Sequence, residues 1–413
     1  MISYQETQTI LKNQPRLAPH RVKIENACGL IAAQDVVSQV FVPSFLNAAM
    51  DGFAVKTTDL LSASRTNALN LSVTGSSMAG EVSIKGKGGA WEIMTGAYVP
   101  EGYDAVIKVE DVTVVKKHPN GRPAEIRISQ SLAKKENIRS EGEDFKPNKQ
   151  ILKKGQLITP SSIMALSAVG ESEILVTSQP NVIVMSSGKE VVDELDKELL
   201  PGQIRDANGP FLMAMLKECN CNAKYAGLIK DDPEEFEARV AATLNNTDII
   251  ISTGAVSAGC FDFIPTSLQR LGADIIFHKA AIRPGKPILY ARFANGTHFF
   301  GLPGNPISAV IGFRFFILPL LYHLQGHPVE QPLKAKLKTS CSKPHNLRFF
   351  AKAKLTNTDN ADLIVDILQG QESFKTHSLL GANCWAVLKE QQKDRQEGEI
   401  VDVYPVMPGG LRF

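Results

Sequence analysis

The sequence predicts a multidomain protein of α/β plus β class, with a central three-layer α/β domain of mostly parallel sheet between β-rich regions. Three observations point there. The chain has 413 residues, beyond the size at which a single hydrophobic core stops growing. Val182–Met185 and Asp248–Ser252 are continuous apolar runs of the kind buried on both faces of a parallel sheet, and helical stretches alternate with them. Short β-type runs punctuated by glycine occupy residues 71–115 and return after Pro328.

Each element has its own signal. Leu71–Thr74 and Ala105–Val109, spaced by Gly86, Gly88, Gly89, Gly96 and Gly102, predict a small β-rich domain. Thr159 is the expected N-cap of a helix that has Pro160 at its first position. Residues 207–219 read as a helix, and Asp232–Glu235 opens another with acids where the helix dipole favours them. A further helix is expected near Ile264–Leu271. Ile288–Phe293 and His298–Leu302 flank Asn295–Gly296, a strong hairpin turn signal. Ile307–Leu324 is the most apolar stretch, but Arg314 and Pro319 interrupt it, so it reads as a buried helix and not a membrane span.

Composition narrows the class of function. Apolar residues make up 43% and charged residues 21%, ordinary soluble proportions that exclude a mostly disordered chain. Forty-five basic against forty-three acidic side chains leave +2, so no global field attracts nucleic acid or an anionic membrane. An anionic ligand then needs a local site. Met1–Gln14 lacks the basic start and apolar run of a signal peptide, and six scattered cysteines suit a reducing cytoplasm; a cytoplasmic protein is expected.

Ligands of open α/β sheets bind beyond the carboxyl ends of the strands. Three loops belong there by sequence: Ser186–Glu190, Thr253–Gly259 and Gly301–Pro306. Their small residues expose N–H groups that can cradle a phosphate or oxyanion. A fourth segment, Lys279–Pro287, sets Lys279, Arg283 and Lys286 among prolines and a glycine. Beside three anion loops, these cations predict a polyanionic ligand. Asp51, Asp144, Glu190, Asp231 and Asp262 lie at or beside loops, where one or two carboxylates would complete an Mg²⁺ site with phosphate oxygens. Asp231, just before a helix start, reads as a helix-cap acid, whereas Asp262, close behind the second loop, reads as functional.

Other motifs are excluded. Gly75–Glu81 has the glycine spacing of a P-loop with Glu81 in place of the lysine. Gly254–Gly259 has one residue too many before Ser257 for a nucleophile elbow. Cys219 and Cys221 lack a second ligand pair. His323 and His327 close a helix before Pro328, where dipole complementarity accounts for them.

The four loops, with Ala49–Val55, Met94–Ala97, Ile138–Arg139 and Gly142–Asp144, occur in the same order in the molybdopterin molybdotransferase family, which also includes the E domain of gephyrin. The chain resembles it from about Pro43 to Pro319. The resemblance implies a homodimer of four-domain subunits: a split N-terminal domain (1–45 and 146–178), an inserted β-rich domain (46–145), an α/β molybdopterin-binding domain (179–326) and a small C-terminal β domain (327–413). It implies adenylylated molybdopterin as substrate, molybdate as metal donor, assistance by Mg²⁺, and release of AMP with the molybdenum cofactor. The molybdopterin adenylyltransferase that makes the substrate is the implied partner enzyme.

Position by position, the resemblance implies catalytic roles for Asp262, Glu190, Asp51, Asp144 and Thr95, with Asp262 and Glu190 at the metal. It implies substrate contacts from Ser187, Gly188, Asp231, Gly254, Ser257, Gly259, Lys279, Arg283, Lys286, Gly304 and Asn305. Asp206 and Asn208 keep the two polar positions of a further family motif. The chain departs from the family at Ala255 (usually glycine), Cys260 (commonly acidic), Arg283 (usually lysine) and Lys189 (usually aspartate). These departures motivate the competing expectation, a non-catalytic carrier of molybdopterin or molybdate.

Overall fold

A computed structural model describes residues 1–82, 85–254, 263–343, 345–391 and 393–407. Its centre is a six-stranded sheet. In chain order the elements are β1 (Asn181–Ser187), α1 (Asn208–Glu218), β2 (Asn222–Ile229), α2 (Pro233–Thr243), β3 (Ile249–Gly254), α3 (Ile264–Arg270), β4 (Ala273–His278), β5 (Leu289–Phe293), β6 (His298–Pro303) and α4 (Pro306–Gln325). The spatial order is β2-β1-β3-β6-β5-β4. β2, β1, β3 and β6 pair in parallel, β5 runs antiparallel to both neighbours, and β4 therefore points the same way as the first four. The predicted mostly parallel sheet is what forms.

Alternation along the strands explains the three layers. Val182, Val184, Ile249 and Ile251 face one side, where they meet Leu212, Met215 and Leu216 of α1 and most of α4. Met185 and Ile250 face the other, against Phe236 and Val240 of α2 and Ile264 and Leu268 of α3. The helix starts follow their caps. Asp232 accepts from the N–H groups of Glu234 and Glu235 at 2.8 and 3.0 Å, and Thr159 from that of Ser162 at 3.3 Å. Gly296, at φ +95°, closes the β5–β6 turn as its sequence predicted.

The apolar run does not break at Pro319. A wider turn over Phe313–Ile317 carries a hydrogen bond from Leu318 N–H back to Phe313 O, and this turn absorbs the N–H that Pro319 lacks. Arg314 is buried in α4 with its guanidinium bidentate to Glu330 at 2.9 and 2.7 Å and its Nε on Pro405 O. The interruptions in the sequence are thus fitted into a continuous helix that is 83% buried over its most apolar stretch.

Three further regions surround this centre. Pro19–Lys23 pairs with Glu173–Thr177, Val36–Val37 with Gln150–Leu152 and Asn47–Ala48 with Ile138–Arg139, so chain before residue 48 lies on chain after residue 138. Between them a six-stranded sheet runs from Ala105–Lys108 through Gly52–Val55, Ala90–Ile93, Leu69–Ser77 and Pro123–Ile128 to Val112–Lys117. The last sheet joins Arg348–Asn357, Leu363–Ile367, Leu333–Leu337, Ile400–Pro405 and Cys384–Leu388, and closes because Cys384–Leu388 also pairs with Arg348–Asn357. Cys28, Cys219, Cys221, Cys341 and Cys384 are free thiols.

His298 on β6 is buried with Nδ1 2.9 Å from the Tyr290 hydroxyl. Burial first, and Arg292 second, push it down from 6.5 to about 4. Between those values the unfolded chain binds a proton that the folded chain refuses, so stability is full above about pH 6.5 and falls as pH drops toward 4. His298→Asn should flatten that loss by on the order of 2–3 kcal/mol in denaturation measured across this range. An unchanged pH slope would clear His298 of the effect.

Candidate functional site

The register puts the predicted loops on one edge. Ser186 lies opposite Thr253, Gly254 opposite Pro303, Leu289 opposite Gly301 and His278 opposite Leu289. The segments after β1, β2, β3, β4 and β6 therefore all leave at the carboxyl edge of the sheet. Along that edge the residues change character: Asp231 follows β2, Glu190 follows β1, the small residues of the Gly254 and Gly304 loops follow β3 and β6, and Lys279, Arg283 and Lys286 lie between β4 and β5.

The middle of the edge is a close meeting of backbones. Ser187 Oγ donates to Thr253 O at 3.0 Å. Gly254 has φ +114°, and a Cβ there would run into the Ser187 carbonyl oxygen. A Cβ on Gly304 would stand 3.7 Å from Gly254 Cα, so the second and third loops touch. Gly188 begins the turn on which Glu190 is exposed, and the Glu190 backbone oxygen accepts from Ile204 N–H at 2.8 Å. Asn305 precedes α4 without capping it through its side chain, and Ile307 N–H is spent on Ser373 O at 2.9 Å, so this helix start offers fewer donors than its sequence suggested.

Asp206 underlies this arrangement. It is buried, and its two oxygens accept four hydrogen bonds: Ser186 Oγ at 2.7 Å, the Tyr225 hydroxyl at 3.0 Å, Asn208 N–H at 2.9 Å and Gly209 N–H at 3.0 Å. Asn208 in turn donates from Nδ2 to Gly304 O at 2.9 Å. One carboxylate thus fixes the end of β1, the start of α1 and a side chain of β2. Burial, the largest cause, raises the Tyr225 hydroxyl, so it stays a donor. Sequence reading named Asp206 and Asn208 only as retained motif positions. Ser186 and Thr253 were read only as the first residues of their loops and Tyr225 gave no local signal, because what links them is long-range pairing.

Two expectations change. The cap of α2 is Asp232 and not Asp231, so the half-buried Asp231 carboxylate at the end of β2 is not spent on the helix. Arg283 is more than a loop cation, since Ile282–Arg283 forms a parallel strand on Arg348–Phe349 of the C-terminal sheet. Lys279 is half-buried, and Arg283 and Lys286 are exposed. Gly285 lies against the first turn of α4: a Cβ there would be 3.4 Å from Ser308 O.

Asp51 and Thr95 come together in the β-rich sheet region. Asp51 Oδ1 accepts from Thr95 N–H at 2.7 Å and Thr95 Oγ1 at 2.8 Å, and these bonds, the N–H foremost, hold its carboxyl below the usual range. Asp144 is exposed on the turn after Ile138–Arg139, with its N–H on Val42 O at 3.0 Å and its carbonyl taking Lys149 Nζ at 2.7 Å. These three residues lie on turns next to Gly52–Val55, Ala90–Ile93 and Ile138–Arg139, outside the central sheet and its loops. Ser257, Gly259 and Asp262, like Ala255 and Cys260, lie outside the described residues. Among the described residues no three His, Cys, Asp or Glu side chains gather as a metal site. Glu190 and Asp231 still offer the anionic oxygens that Mg²⁺ takes in ones or twos when phosphate supplies the rest.

Asp206→Ala should destabilise the chain by roughly 2–4 kcal/mol, because one buried and one half-buried hydroxyl and two N–H groups lose their acceptor. Tyr225→Phe, which removes one donor, should cost about 1 kcal/mol. Equal costs in chemical denaturation would show that Asp206 is not the hub.

Comparison with known proteins shows the family and the fold. The MoeA N-terminal region (domain I and II) matches residues 2–170, a probable molybdopterin binding domain matches residues 183–323, and the MoeA C-terminal region (domain IV) matches residues 334–406. A molybdopterin molybdenumtransferase of Synechococcus elongatus is 36% identical over 395 residues, covering 94% of each chain. The corresponding protein of Haemophilus influenzae is 34% identical over 389 residues, 93% of each. A crystal structure of a molybdopterin biosynthesis moea protein from Pyrococcus horikosii superposes with a TM-score of 0.81 at 30% identity, covering 98% of this chain and 99% of that one. The chain belongs to the molybdopterin molybdenumtransferase family.

Proposed function

We propose that the chain inserts molybdenum from molybdate into adenylylated molybdopterin, with cleavage of the pyrophosphate link and release of AMP. The observation that carries this is the gradient along the carboxyl edge, acidic after β2 and β1, small in the middle and cationic between β4 and β5. At about 4.8 Å per strand, Glu190 and the cation loop stand roughly 15–20 Å apart. A free oxyanion cannot reach both ends. An elongated molecule with phosphates near its middle can, with Lys279, Arg283 and Lys286 neutralising phosphate and the small-residue turns at Ser187, Gly188, Gly254, Gly304 and Asn305 letting it approach the backbone.

The acidic end suits the metal chemistry. Glu190 with Asp262 would hold Mg²⁺, and Asp231 stands one strand further out. When bound, Mg²⁺ supplies Lewis-acid polarisation of phosphoryl oxygens. Asp51, fixed as the anion by Thr95, and Asp144 lie on turns outside the central sheet, so a second chain of a homodimer would bring them to the edge. The divisions 1–45 with 146–178, 46–145, 179–326 and 327–413 suit that assembly. A cytoplasmic homodimer receiving its substrate from the molybdopterin adenylyltransferase fits the free thiols and the near-neutral charge.

The test is purified protein with adenylylated molybdopterin, Mg²⁺ and molybdate. AMP release that depends on molybdate is the expected result, and tight binding without it would mark a carrier. Lys286→Ala should weaken substrate binding by about 1–3 kcal/mol, seen as higher KM with less salt dependence. Asp262→Asn should lower molybdate-dependent AMP release strongly while leaving substrate binding in place, because charge at the metal is lost and the cation loop is untouched. Wild-type turnover by a folded Asp262→Asn protein across an Mg²⁺ titration would move that role to Glu190.

A further inference from the structure

Resting on the assignment of the substrate's phosphates to Lys279, Arg283 and Lys286, we propose that the first residues of the chain are a main-chain clamp on the cation loop, with Ile2 its positioning residue. Lys279 has φ +76°. A lysine keeps that left-handed conformation only where its surroundings hold it. Here the hold is made of backbone. Lys279 N–H donates to Ile288 O at 2.9 Å and Ala280 N–H to Lys286 O at 3.0 Å, which closes the loop on itself. Ile2 N–H then donates to Lys279 O at 3.0 Å, and Ala281 N–H returns to Ile2 O at 2.8 Å, a parallel bridge between Ile2 and Ala280.

The clamp is itself anchored. Ser3 forms a capping box with Glu6 at the head of helix Tyr4–Lys12, its Oγ accepting from Glu6 N–H while Glu6 accepts from Ser3 N–H. Tyr4 is buried, edge-on to Phe316 and Phe350, with the Arg348 guanidinium 4.3 Å over its ring. Ile2 cannot swing away without disturbing these contacts. On the opposite side Arg348 N–H donates to Ala281 O at 3.0 Å, at the start of the Ile282–Arg283 pairing. The cation loop is therefore held between the N-terminal segment and the strand Arg348–Asn357, neither of which carries a candidate site residue. Ile2 N–H is the donor that holds the Lys279 carbonyl in its left-handed setting, and through it the direction of the Lys279 side chain.

The experiment separates this donor from ordinary packing. Ile2→Pro removes the N–H and keeps the carbonyl, whereas Ile2→Ala trims the side chain and keeps both bonds. Binding of adenylylated molybdopterin and the rate of AMP release are measured for both, with thermal midpoints. Ile2→Pro should weaken binding about two- to tenfold, the span of one backbone hydrogen bond, with kcat within about twofold. Ile2→Ala should bind as wild type even where its thermal midpoint falls as far. If Ile2→Pro does not fold, removal of Met1 and Ile2 takes away both bridge hydrogen bonds while leaving the Ser3 cap of helix Tyr4–Lys12, and it should weaken binding at least as much. Lys286→Ala runs beside them. Weakened binding in Lys286→Ala with wild-type binding in Ile2→Pro overturns the clamp alone, and wild-type binding in both overturns the phosphate assignment. Equal losses in Ile2→Pro and Ile2→Ala that track the thermal midpoint also overturn the clamp.

Discussion

The central domain depends on one buried carboxylate. Asp206 ends the segment after β1 and accepts from a hydroxyl of β1, a hydroxyl of β2 and the first N–H groups of α1. Those donors would otherwise be unsatisfied in a region where water is excluded, and each costs about 1–3 kcal/mol when left so. Collecting four on one side chain sets the level at which β1 stops and α1 starts. It also brings Asn208 to the Gly304 carbonyl, which ties the third loop to the first. Ser187, Gly254 and Gly304 owe their closeness to this arrangement and to the absence of a Cβ on Gly254.

Charge is handled differently at the two levels of the structure. Inside, among the described residues, each buried cation is met by several acceptors. Arg314 has Glu330 and Pro405 O, Lys343 donates to the carbonyls of Leu347, Lys389 and Glu390, and Lys352 to those of Gly370, Glu372 and Lys375. Burial lowers both lysines, and the carbonyl cradles compensate. At the carboxyl edge, by contrast, Arg283, Lys286 and Glu190 stand exposed on loops of fixed backbone. Rigid main chain with solvated charged tips suits a site whose counter-charge arrives with the ligand.

Much of the fold was legible because its signals are local. Val182–Met185 and Asp248–Ser252 announced strands buried on both faces, Asp232 and Thr159 announced helix starts, and Asn295–Gly296 announced the hairpin. Pro319 misleads by the same local rule, since only the wider turn before it lets the helix continue. The site was half legible. That loops after parallel strands converge is a property of the sheet, so the three small-residue loops could be placed in advance, whereas the cation segment was read only as part of the same domain. The grip of Asp206 on Tyr225, the pairing of Ile282–Arg283 with Arg348–Phe349 and the bridge from Ile2 to Ala280 could not. Each joins residues far apart in sequence through groups that look ordinary in their own neighbourhood. Asp51 and Thr95 are 44 residues apart and fall in this class as well.

The one strand that runs against the rest explains where the cations stand. Were β5 parallel to β4, the chain leaving His278 would have to cross the sheet before re-entering at Leu289, and residues 279–288 would be a crossover on one face. Because β5 is reversed, His278 and Leu289 face each other and the ten residues between them turn back at the same edge as the Gly254 and Gly304 loops. The cost of the reversal appears at the opposite edge, where Asn295 and Gly296 close a tight turn into β6. The loop is not left unsupported: Ala280, Ile282 and Ile288 are buried in the main core, and Gly285 lies against the first turn of α4. Three like charges within it still repel. The bracing from Ile2 on one side and Arg348 on the other adds main-chain hydrogen bonds to that packing. A single reversed strand thus sets where the cations stand, and α4, the N-terminal segment and the C-terminal sheet together hold them there.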